Sequence, residues 1–116
     1  MTHDLEGSRW VLVRLRNRPI VPAEGKPEPY IVLQASSKEI AGHGGCNRLS
    51  GAYKIEGDTL RVSDLTTTRM ACPEIETEHA FLSALESVKR WRLMDNQLIL
   101  LADNNVAVVQ LEARNL

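Results

Sequence analysis

Cys46 and Cys72 are the only thiols among the 116 residues, and each lies in a short segment crowded with reactive side chains. One segment reads His43-Gly44-Gly45-Cys46-Asn47-Arg48, the other Thr68-Arg69-Met70-Ala71-Cys72-Pro73. In an oxidising compartment the simplest chemistry is a disulfide closing a loop of about 26 residues, worth roughly 3.5 kcal/mol on the chain-entropy model. In a reducing one the same pair reads as two buried thiols behaving as small hydrophobes. Zinc would draw on His43, Cys46, Cys72 and His79, which have the right donor types. Their spacing is wrong, because His43 and Cys46 lie on an extended Gly turn and His79 falls two helical turns beyond Cys72. Nucleophilic catalysis needs a thiolate with a histidine in hydrogen-bond reach. A helix start beside Cys72 favours the thiolate, but Glu74, Glu76 and Glu78 oppose it and no histidine is placed next to it. No catalytic, metal or cofactor set is therefore assigned.

Arg48 and Arg69 each flank a cysteine in stretches otherwise short of charge. Two roles suit them. They can grip an anion together with backbone N–H groups of Gly42, Gly44 and Gly45, or satisfy buried carbonyls and pair with Asp64 or Glu78.

The elements that position these residues follow from the hydrophobic pattern. Trp10–Leu15 reads as a first strand, with Trp10, Leu12 and Arg14 on one face and Val11, Val13 and Leu15 on the other. Pro22, Gly25, Pro27 and Pro29 then mark a loop, expected to be the most mobile stretch. Strands follow at Tyr30–Ala35, Lys38–His43 and Asn47–Ile55, and Gly57 turns the chain into a partner strand carrying Leu60 and Val62. Pro73 opens the one helix, about 73–90, with Phe81, Leu82, Leu85 and Val88 as its apolar stripe. Trp91–Met94, Gln97–Leu101 and Val106–Leu111 close the chain as a meander, its first turn made by Asp95-Asn96. The expected fold is mainly β: a small curled antiparallel sheet or barrel of about eight strands covered by one helix, in a single domain over 1–116.

Composition narrows the function classes. Fourteen basic and fifteen acidic residues give a net charge of −1, without the basic footprint of nucleic-acid binding. The apolar runs are strand-length, well short of a membrane-spanning helix. The N-terminus carries neither the basic nor the apolar region of a secretory leader.

Several of these segments together resemble the META domain (HslJ-like) family. They are Trp10-Val11-Leu12, the run from Gly45 to Tyr53, the Gly57-Asp58-Thr59-Leu60 hairpin, Thr68 to Pro73, and Glu78 with Phe81 to Leu85. The motif residues that carry the resemblance are Gly45, Asn47, Arg48, Gly51, Thr68, Arg69 and Met70. The resemblance implies a lipocalin-like barrel with one helix and a periplasmic, outer-membrane-associated or secreted setting, since relatives are often lipoproteins. It also implies a link to heat shock and stress, to novobiocin resistance and, in parasites, to virulence. It supplies no catalytic residues. The expectation is a non-enzymatic domain of stress-response type that binds a protein partner or stabilises an assembly, with a small hydrophobic or anionic ligand held at the barrel mouth as the alternative.

Overall fold

The computed structural model describes residues 4–21, 25, 27–72 and 75–114. Nine strands follow one another: β1 Trp10–Leu15, β2 Arg18–Pro19, β3 Tyr30–Gln34, β4 Glu39–His43, β5 Arg48–Glu56, β6 Thr59–Thr67, β7 Arg90–Met94, β8 Gln97–Leu101 and β9 Ala107–Ala113. The single helix, α1 (Ile75–Ser87), links β6 to β7. Every pairing is antiparallel, in the order β2-β1-β3-β4-β5-β6-β7-β8-β9, and β1 also pairs with β9. The sheet thus closes into a ring, which removes most of its free edges. Closure is uneven, because β6 and β7 share only the Thr59–Arg90 pair, so the structure is not a regular barrel.

Short connections with the right turn residues set the register. Gly57-Asp58 joins the paired Glu56 and Thr59, with Gly57 at φ 60°. Asp95-Asn96 joins Met94 to Gln97 in the same way, with Asp95 at φ 55°. A third tight turn was not expected. Arg16 (φ 47°) and Asn17 (φ 70°) reverse the chain between Leu15 and Arg18, and the two-residue β2 is the ninth strand. Consecutive positive φ values give the turn a twist that matches that of the flanking strands.

The expected face assignment for β1 changes halfway along. Between Leu12 and Arg14 the register against β9 slips by one residue. A bulge of this kind reverses the facing of everything beyond it, so Leu15 joins Trp10 and Leu12 in the core while Arg14 is exposed. The interior of the ring is filled. Trp10, Leu33, Ile40, Leu98, Leu100, Val109 and Leu111 are fully buried, and α1 adds Phe81, Ala84 and Leu85 from its inner face.

The helix is shorter than 73–90. Pro73 and Glu74, expected at its start, lie outside the described residues, as do Pro22 to Glu24 and Lys26 of the expected loop. At the other end α1 stops at Ser87, because Lys89 N–H already donates to Leu101 O at 2.8 Å and the following Arg90 pairs with Leu101. Strand pairing captures the backbone that the charge pattern assigned to a last helical turn. No helix among the described residues is long and apolar enough to cross a membrane.

Beside Trp10, the N-terminal segment is latched to the sheet. Leu5 O accepts from Trp10 Nε1 at 3.0 Å, and Gly7 N–H donates to Leu33 O at 2.9 Å. Between these, the Glu6 carboxylate accepts from Tyr53 Oη and from Lys38 Nζ. The Tyr53 bond first, and then Lys38, hold the Glu6 pKa below its ordinary value. Burial and the facing carboxylate push the Tyr53 phenol up. A carboxyl whose folded pKa is depressed contributes its stability above the ordinary glutamate pKa of about 4.3 and loses it as pH falls through the lower folded value. Glu6→Gln should therefore melt below the parent at about pH 6, and the gap should narrow as pH falls below the ordinary glutamate range. Thermal melts across that range check it.

Candidate functional site

The two cysteine segments meet beside the start of α1. The first is the turn from β4 into β5, the second the stretch that leaves β6 for the helix. Cys46 and Cys72 are joined by a disulfide, with Cα atoms 6.1 Å apart. Their sulfurs are bonded to each other, and His43 Nδ1 accepts from Gly45 N–H at 3.0 Å. His79 stands on the exposed side of α1.

Asn47 is the second tie. Only 2% exposed, it reaches across with both ends of its amide. Its Oδ1 accepts from Met70 N–H at 2.7 Å and from Thr68 Oγ1 at 2.9 Å, while its Nδ2 donates to Met70 O at 3.2 Å. The side chain thus pairs with the backbone of Met70 as a neighbouring strand would. Thr68 Oγ1 in turn accepts from Arg48 N–H, and Thr68 N–H donates to Arg48 O.

The third tie is Glu78, whose importance the sequence reading missed. It is 2% exposed, on the inner face of α1. Its Oε1 accepts from Asn47 N–H at 2.6 Å and Cys46 N–H at 3.1 Å, and its Oε2 accepts from Asn47 Nδ2 at 2.8 Å. A buried carboxylate is tolerated only when donors converge on it in this way. A clue was present: Glu78, Phe81, Leu85 and Val88 are spaced by three, four and three, so the acid belongs to the apolar stripe.

The glycines mark tight turns and close backbone approach, as glycines between strands most simply do. The turn does hold an anion, but the anion is the chain's own Glu78. Gly44 N–H is engaged by Asn47 O and Gly45 N–H by His43. Gly44 is glycine because a Cβ there would run into Glu78 Cγ and lie 2.6 Å from its Oε1. Gly44→Ala should push the carboxylate out of the turn and cost about 1–3 kcal/mol, read as a lower urea midpoint.

Arg48 and Arg69 take neither expected structural role. Both are exposed, and neither makes an ion pair among the described residues. Glu78 is committed to Asn47, and Asp64 forms the β6 bulge at φ 55° opposite Ser50–Ala52. Gly51 faces that bulge, where a Cβ would lie 2.8 Å from Ser63 O. Met70, though clamped through its backbone, is 59% exposed. Thr68 to Ala71 therefore form a ridge that is fixed from beneath and bare above. Shallow grooves run along both sides, one over Tyr30, Ala41 and Ser50, the other beside Ile75 and His79.

Comparison with known proteins agrees with this architecture. The model of the META domain family matches residues 3–115. A protein from Burkholderia xenovorans, solved by NMR, is 28% identical with a TM-score of 0.77, over 97% of this chain and 85% of that one. A second NMR structure is 25% identical with a TM-score of 0.70, over 93% and 91% of the two chains. A crystal structure of a DUF4847 family protein from Bacteroides vulgatus shares the fold at 15% identity, with a TM-score of 0.68 and 93% of each chain covered. No curated protein matches.

Proposed function

Since the chain belongs to the META domain family, which is not known as enzymatic, we propose that it is a non-enzymatic recognition domain of stress-response type that binds a protein partner outside the cytoplasm. The observation that carries this reading is the ridge at Thr68–Ala71. Arg69 and Met70 are held outward while the backbone beneath is locked by Asn47 and the Cys46–Cys72 bond. A loop ordered in advance loses little conformational entropy on binding. Exposed methionine and arginine are residue types enriched where proteins meet. The disulfide supports a periplasmic or secreted setting, where such bonds persist. The carrier alternative has less support, because side chains fill the ring where a hydrophobic ligand would sit.

The test places a photo-crosslinking residue at Met70 and, as a control, at Lys54, whose side chain is 76% exposed. The expected result in the native envelope is an adduct of one discrete partner mass from position 70, absent from 54 and lost with Arg69→Glu. Equal labelling from both positions, or none, overturns the proposal. Saturable stabilisation by a hydrophobic ligand class would favour the carrier instead.

A further inference from the structure

The weakest seam of the ring carries a second feature, remote in sequence from the ridge. Beyond the Thr59–Arg90 pair, β6 and β7 diverge, and the short 3₁₀ turn at Asp103–Asn105 stands over the gap. Between them lies a groove of about 600 Å³, lined by Thr59, Arg61, Lys89, Arg90, Asn104 and Asn105. Its volume falls in the range of small-ligand sites, but its walls are polar where such sites are usually apolar.

Its charge is the informative property. In a chain of net charge −1, three cations converge on this groove against one lining carboxylate, Asp103. Arg90 also faces Asp58 at 3.6 Å, an exposed pair of the kind that contributes little. Arg61 and Lys89 make no ion pair among the described residues. Thr59 and Arg90 are directly paired across the seam, which puts their side chains on one face. Asn104 and Asn105 bring amide donors from the opposite wall. Convergent cations with neutral donors between them suit a compact, multiply charged oxyanion.

We propose that this groove is a binding site for a phosphoryl group, with Arg61 and Lys89 as its principal ligands. Such a group could come from a soluble phosphorylated molecule or from a phospholipid head group.

The test titrates the full chain with inorganic pyrophosphate at low salt and follows backbone amide shifts. Saturable shifts confined to Thr59, Arg61, Lys89, Arg90 and Asp103–Asn105 are expected. The Arg61→Gln/Lys89→Gln double variant should weaken binding by about tenfold or more, while Arg48→Gln, an exposed cation at the far end of β5, leaves it unchanged. Parallel titrations with phosphatidic acid vesicles and phosphatidylcholine vesicles separate the sources. Shifts of the same amides with the acidic vesicles assign a head group, and shifts with pyrophosphate alone assign a soluble ligand. The site is overturned if neither probe gives saturable shifts there, or if Arg48→Gln weakens binding as much as the double variant does.

Discussion

Glu78→Ala should cost about 3–5 kcal/mol of folding stability, a large part of the roughly 5–15 kcal/mol that holds a domain of this size together. The substitution leaves Cys46 N–H, Asn47 N–H and Asn47 Nδ2 without their shared acceptor in a buried turn, and each stranded donor costs about 1–3 kcal/mol. Glu78→Gln separates charge from shape. Its carbonyl oxygen can still serve the two backbone donors, but its NH₂ then opposes Asn47 Nδ2, donor against donor. An intermediate loss of about 1–3 kcal/mol is expected. Equilibrium urea unfolding of the three proteins measures both values. A Glu78→Ala protein as stable as the parent would mean the carboxylate is not anchored as described.

Opening the Cys46–Cys72 bond is the second large effect. Its 26-residue separation gives about 3.5 kcal/mol on the chain-entropy model, to be measured on Cys46→Ala/Cys72→Ala or by unfolding with and without reductant. The disulfide and Glu78 both hold the Cys46–Asn47 turn, so their losses should not add. In the cysteine-free protein the second segment is tied through Asn47 and through the Thr68–Arg48 bonds, and Glu78→Ala should then cost at least about 0.5 kcal/mol more or less than it does in the parent. Strict additivity would make the two ties independent.

The features readable in the sequence were those set by local chemistry. Gly57-Asp58 and Asp95-Asn96 announce their hairpins because few residues accept positive φ, and the spacing of Phe81, Leu85 and Val88 announces the helix face. Features set by distant partners were not readable. No local pattern marks the extra residue that turns Leu15 inward, since a bulge is defined only against the strand it faces. Arg16-Asn17 lacks the glycine that usually flags a tight turn. Within the site, the cysteines stood out by type, and Asn47 only through the family resemblance. Glu78 did not, because acids in the first turns of a helix already have an explanation in the helix dipole. What sets it apart is a pair of N–H groups more than thirty residues away. Arg48 and Arg69 stood beside the cysteines with two roles open, and both are exposed and outside any ion pair among the described residues.

The cysteine segments form a brace closed on an internal carboxylate beneath the Thr68–Ala71 ridge. Native-state hydrogen exchange at the Cys46 and Asn47 amides tests this most directly. Both amides belong to a turn outside the strands, where exposed N–H groups exchange quickly. If Glu78 holds them, they will exchange as slowly as core amides such as that of Leu100, and Glu78→Ala will release them while Leu100 stays protected. Rapid exchange of both in the parent protein, with the core protected, would contradict the account.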